Sequence, residues 1–79
     1  MAVSVFLPHV GMGVSEATIL VWLKGVGDVV AVGEPIAQFE TAKSTLDLEA
    51  PVAGVLSAIH VGVDQVVELG VEIALIEAY

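Results

Sequence analysis

Residues 39–54 constrain the fold more than any other stretch. Before Ala42-Lys43, Ile36, Gln38 and Glu40 alternate with Ala37, Phe39 and Thr41; after it, Leu46, Leu48 and Ala50 alternate with Thr45, Asp47 and Glu49. An apolar–polar period of two on both flanks marks two half-buried strands, and the break between them marks a turn. The break holds neither Gly nor Asn, so the spacing predicts a type I-like turn rather than a primed one, which needs positive φ. Lys43 is thereby set at the tip of a hairpin and directed into water.

The remaining chain reads as short strands divided by turns. Strands are predicted over Val3 to Leu7, Ala17 to Leu23, Val29-Val30, Val55 to Ile59, Val66-Val67 and Glu72 to Glu77, with turn residues such as Gly25, Gly33, Pro51 and Gly70 between them. No stretch keeps a 3.6-residue apolar period over three turns, so the fold class is all-β. Sliding the chain on itself reveals a repeat. At an offset of 37 residues, Val29-Val30 and Gly33 fall on Val66-Val67 and Gly70, and Ile36-Ala37 on Ile73-Ala74. Pro8 and Gly11 fall on Pro51 and Gly54 at an offset of 43, so the first half carries six extra residues after Gly11. Two similar halves imply a flattened barrel or sandwich of two four-stranded antiparallel sheets about a pseudo-twofold axis, which limits exposed edges. The lysine hairpin and the two termini then occupy equivalent places at opposite ends. The first strand is expected to pair near the hairpin, bringing residues 11–17 beside Lys43.

Composition narrows the function. The 79 residues form one domain, 1–79, and 57% of them are hydrophobic, as a core this small requires. The longest apolar run, Ile19 to Leu23, is far below the ~20 residues of a membrane span. Ten acids against two lysines give a net charge of −8, which disfavours nucleic acid and anionic membranes as partners and leaves a basic protein surface open. The start lacks a basic n-region and apolar h-region, so a cytoplasmic location is expected. The absence of Cys removes disulfides, thiolate metal sites and thiol catalysis. His9 and His60 fall at different turns with no third ligand at metal spacing. No serine stands in a nucleophile elbow, and Gly11-Met12-Gly13 precedes a strand rather than a helix. Asp47 and Glu49 read as a solvated strand face, Lys24 as a surface residue, and Trp22 as core with its N–H near an edge.

Over nearly its whole length the chain resembles the lipoyl domains of 2-oxo acid dehydrogenase complexes. The stretches that carry the resemblance are Leu7 to Ile19, Trp22 to Asp28, Gly33-Glu34-Pro35 and Glu40-Thr41-Ala42-Lys43-Ser44-Thr45, with Pro51 and Gly54 at the family's spacing. Two features depart from its pattern. Ala42 and Ser44 replace the usual Asp and Ala around the lysine, and Asp64-Gln65 replaces a Gly-Asp turn, a change expected to alter one distal turn.

The resemblance implies that Lys43 carries lipoate as an amide, placed there by a lipoate ligase or octanoyltransferase, with Ala42 and Ser44 completing the tip. It implies reductive acylation by a thiamine-diphosphate 2-oxo acid dehydrogenase, acyl transfer at an acyltransferase core and reoxidation by dihydrolipoyl dehydrogenase. The domain itself is then a non-catalytic swinging-arm carrier, either alone or as part of a dihydrolipoamide acyltransferase. Gly11, Met12, Gly13, Val14, Glu16, Glu40 and Thr41 are the residues expected to meet a partner that reads the lysine. A biotin carrier, whose lysine is bracketed by methionines, fits Ala42 and Ser44 less well. An unmodified lipoyl-like interaction module is the reading of a different class.

Overall fold

Among the described residues, eight strands form where the alternation predicts them: β1 Ala2–Phe6, β2 Glu16–Trp22, β3 Val29–Val30, β4 Pro35–Glu40, β5 Thr45–Glu49, β6 Gly54–Ile59, β7 Val66–Glu68 and β8 Glu72–Ala78. The structure, a computed structural model, describes residues 1–9 and 13–79, and no helix occurs among them. Strand ends lie within about a residue of expectation. Leu7, placed in the first strand by its sequence, leaves it just before Pro8. Its N–H still donates to Val71 and its carbonyl accepts from Gly70, at 3.0 and 2.7 Å.

The strands build two sheets, ordered β1-β8-β6-β3 and β5-β4-β2-β7, with every pair antiparallel. Each sheet takes two strands from each half of the repeat, so the halves interlock instead of sitting side by side. Exchanging the halves maps one sheet order onto the other. The correspondence reaches single hydrogen bonds. Asp28 N–H donates to Gly25 O at 3.0 Å, and Gln65 N–H to Gly62 O at 3.3 Å. Gly25 N–H donates to Asp28 Oδ2 at 2.8 Å, and Gly62 N–H to Gln65 Oε1 at 3.0 Å.

The Asp64-Gln65 turn is therefore not altered as its sequence suggested. Asp64 takes φ 67°, close to the 96° of its counterpart Gly27. Asp tolerates the left-handed region better than most residues, because its short polar side chain can hydrogen-bond locally.

A second expectation is corrected here. β1 pairs only with β8, in the sheet that lacks the hairpin. The neighbour of the hairpin is β2, whose Thr18 pairs with Glu40 and whose Trp22 pairs with Ala37. Antiparallel register thus puts the start of β2 at the tip end of β4.

The core lies between the sheets, and its fully buried side chains include Phe39, Leu7, Ile19, Ile36, Leu56, Ile73 and Ile76. Each such side chain stabilises the fold by roughly 1.5–3 kcal/mol. Strict alternation in β4 would bury only one of Ile36 and Ala37, yet both are 0% exposed. An irregularity between Pro35 and Ala37 shifts the register and lets both face inward. Trp22 packs on the margin of the core rather than inside it, and its Nε1–H donates to Val61 O at 3.0 Å.

β5 carries the chain from the tip to the far end of the sandwich. Four residues beyond it, Ala53 O accepts the N–H of Tyr79 at 3.3 Å. The tip and the C-terminus accordingly lie at opposite ends of a body 36 Å long and 17–20 Å across.

Candidate functional site

β4 and β5 are held in register by Phe39 opposite Leu46 and by Glu40 opposite Thr45. Phe39 is 1% exposed and anchors the strand in the core, while Glu40 and Thr45 face water. The four-residue turn Thr41-Ala42-Lys43-Ser44 closes with Thr41 N–H donating to Ser44 O at 2.8 Å. Asp64 is the only described non-glycine residue with positive φ, so the turn is not of the primed class, as the absence of Gly and Asn predicts.

Thr41 organises this turn. Its hydroxyl donates to Ser44 O at 3.1 Å and accepts from the N–H groups of Lys43 and Ser44 at 3.2 and 3.1 Å. It is the one buried polar residue of the described chain. Its hydroxyl thus serves the geometry of the turn. Ala42, Lys43 and Ser44 are all exposed above it.

The other lysine is placed differently. Lys24 is half-buried, and its Nζ lies 3.2 Å from Glu34 Oε2, so it is an ionic partner as well as a surface residue. Glu34 also accepts the N–H of Ala31 at 2.9 Å. That backbone hydrogen bond, reinforced by Lys24, holds the Glu34 carboxyl below its ordinary range.

A groove of about 320 Å³ runs beside the tip, between residues 13–18 on one side and Glu40, Thr41 and Ala42 on the other, with Val66 also lining it. The expected neighbours Gly13, Val14 and Glu16 are thus brought to the hairpin. Gly11 and Met12, named with them, lie outside the described residues. Ser15, Thr18 and Val66 also line the groove, although sequence did not single them out. Val66 arrives through the pairing of β7 with β2, a contact between strands far apart in the chain. Glu16 pairs with Glu68 across that ladder, so Glu16, Glu40 and Glu68 give the tip end of this sheet an acidic, exposed face.

The histidines do not share a site. His60 Nε2 lies 3.1 Å from Glu72 Oε2, and Ser4 Oγ donates to the other oxygen of Glu72. This cluster ties β1, the start of β8 and the segment after β6 together. His9 instead faces Gly70 across the repeat.

Comparison with known proteins gives this geometry a context. The profile of the biotin/lipoyl family, described as "Biotin-requiring enzyme", matches residues 3–76. The chain is 45% identical over 76 residues to the dihydrolipoyllysine-residue acetyltransferase component of the pyruvate dehydrogenase complex of Corynebacterium glutamicum. It is 38% identical over 76 residues to the corresponding component of the acetoin cleaving system of Bacillus subtilis. With the succinyltransferase component of the 2-oxoglutarate dehydrogenase complex of Bartonella vinsonii subsp. berkhoffii it shares 36% over 78 residues. These alignments cover 96–99% of this chain but only 11–19% of the relatives, so the chain corresponds to one small part of each.

Proposed function

Because the chain belongs to the biotin/lipoyl-attachment family, we propose that it is a lipoyl carrier domain whose Lys43 ε-amine is amide-linked to lipoate. The observation that carries this reading is the contrast between the two lysines. Lys43 is exposed at a turn braced by Thr41, whereas Lys24 is half-buried against the Glu34 carboxylate. At Lys43 the exposed neighbours Ala42 and Ser44 are small and leave the approach open. They also lack the methionines that bracket a biotinylated lysine, which favours lipoate over biotin.

When bound, lipoate supplies the acyl-transfer and redox chemistry. The chain's own residues supply presentation. Thr41 fixes the turn, Phe39 anchors the strand beneath it, and the groove beside the tip offers a partner a surface to read. Gly13, Val14, Glu16 and Glu40 are residues of that surface, and Thr41 sets its geometry. Amide formation removes the Lys43 cation, so the modified tip is more acidic than the unmodified one. Tethering to the domain raises the local concentration at each partner site to about the millimolar range. The partners are a lipoate ligase or octanoyltransferase, a thiamine-diphosphate 2-oxo acid dehydrogenase, an acyltransferase core and dihydrolipoyl dehydrogenase. The domain makes and breaks no bonds of its own.

Intact and peptide mass after incubation with a lipoate ligase, and separately with a biotin ligase, tests the proposal. A lipoyl mass gain confined to the peptide containing Lys43, absent in Lys43→Arg with an unchanged melting temperature, is the expected result. A gain from biotin alone assigns the chain to the biotin carriers. No gain with either enzyme leaves an unmodified interaction module, and a gain at Lys24 overturns the site.

A further inference from the structure

β1 and β5 are the edge strands on one flank of the sandwich, and each has a single strand partner. Between them runs a groove of about 440 Å³, lined by residues 4–6 of β1 and 47–49 of β5 and flanked by Pro8 and Pro51. It shares no residue with the groove at the tip. Val5 and Leu48, 2% and 4% exposed, belong to the core and give the groove an apolar floor. The rim is unequal. Phe6 is 55% exposed, and at its counterpart in the second half stands Glu49, also exposed. Asp47, two residues before Glu49 on the same strand face, is exposed as well, with one oxygen accepting from Gln38 Nε2 at 3.1 Å.

We propose that this groove docks an extended basic segment of a partner protein, added as a strand along β5 with its Arg or Lys side chains beside Asp47 and Glu49. Three features lead to that occupant. An edge strand presents unpaired backbone N–H and C=O groups that an extended chain can satisfy, while side-chain contacts select the sequence. Asp47 and Glu49, both exposed on one face of β5, attract the cationic side chains of a strand laid beside them. The lining spans three residues of each strand, which matches about three or four residues of extended chain at ~3.4 Å each. A second copy of this chain is a poor occupant, because it brings Asp47 and Glu49 against like charges in a domain of net charge −8. The docking does not depend on Lys43 or on its modification.

Amide chemical shifts of the full chain, titrated with the acetylated peptide Ala-Arg-Val-Arg-Val-Ala, test this inference. The control peptide carries Pro in place of both Val, keeping the charge but losing strand pairing. Saturable shifts centred on residues 4–6 and 47–49 are expected, with little response to the control. Asp47→Asn and Glu49→Gln are each expected to weaken binding by roughly two- to fivefold. Both residues are exposed, and the amide spectrum reports that the variants stay folded. Shifts that spread equally over Glu16, Glu40 and Glu68 for both peptides, or unchanged affinity in Glu49→Gln, overturn it.

Discussion

Thr41 is 8% exposed directly beneath an exposed lysine, and its single hydroxyl serves three backbone groups of the turn. Ala42 and Lys43 give the turn neither a glycine's freedom nor an asparagine's local hydrogen bonds, so the threonine does this work. Thr41→Val keeps the shape and removes the hydroxyl that accepts from the N–H groups of Lys43 and Ser44. Losing these part-buried hydrogen bonds costs about 1–2 kcal/mol. For a domain of this size that corresponds to a fall in melting temperature of about 4–16 °C. Thr41→Ser retains the oxygen and is expected to recover most of the loss. The rate at which a lipoate ligase modifies Lys43 is expected to follow the same order: wild type, Thr41→Ser, then Thr41→Val. A Thr41→Val protein that melts and is modified like wild type removes the hydroxyl from the account of the tip. The turn class was legible in the sequence, because the absence of Gly and Asn excludes a primed turn. The hydroxyl's role was not, since period-two alternation marks position 41 as inward-facing whichever small residue occupies it.

At the scale of strands, alternation located every element, and its failures are informative. It gave β4 one inward residue too few, because a register irregularity at Ile36 turns two neighbours toward the core. Nor could it identify the partner of β1, since that pairing joins Ala2 to Glu77 across the length of the chain. Gly54 was legible as a recurring glycine but not as a point where β8 leaves no room for a Cβ on β6. A Cβ there lies 2.2 Å from Glu77 O, so Gly54→Ala must push two paired backbones apart. Destabilisation by about 3 kcal/mol is expected, measured as a lower urea midpoint. A change below about 1 kcal/mol shows that the ladder can give way there.

The turn between β3 and β4 makes a pH-dependent contribution. Glu34 is held below its ordinary range by the Ala31 N–H and by Lys24, so its charged form is favoured in the folded chain. That stability is present above the unfolded carboxylate value of about 4.3 and is lost as pH falls through the depressed folded value. Wild type is therefore expected to exceed Glu34→Gln in urea midpoint at pH 7, with the two converging in strong acid. A difference that persists unchanged to the lowest pH contradicts the assignment. The Lys24–Glu34 pair joins residues on two different turns, which is why sequence showed Lys24 only as a surface residue.

The whole molecule is a pseudo-twofold in which the hairpin tip and the chain termini are the same place seen twice. Ala78 N–H donates to Met1 O at 2.9 Å, as Thr41 N–H donates to Ser44 O at 2.8 Å. Ala2 pairs with Glu77 as Thr45 pairs with Glu40. Tyr79 therefore occupies the place of Ala42, and one residue more stands where Lys43 does. Joining Tyr79 to Met1 through a single lysine, and opening the chain in the turn at Gly62-Val63, is expected to give a folded permutant with two lysine-bearing tips. New ends are tolerated best where a surface turn carries few contacts, and that turn is exposed. The two tips differ in what surrounds them. The original has the Thr41 hydroxyl and the groove formed by residues 13–18, while the new one has Ala78 and no inserted loop after Pro51. If a ligase needs only a lysine at a hairpin tip, both lysines gain lipoate at similar rates. If it needs a turn locked in one geometry, the new lysine is modified roughly tenfold more slowly or worse, because misplacing a reacting group by an ångström costs up to about that much and more. The second outcome is expected, since the repeat supplies the mounting while the residues that break the repeat hold the lysine in place. Peptide-resolved mass over a time course separates the two. Equal rates at both tips assign recognition to the mounting alone and remove Thr41 and the groove from it.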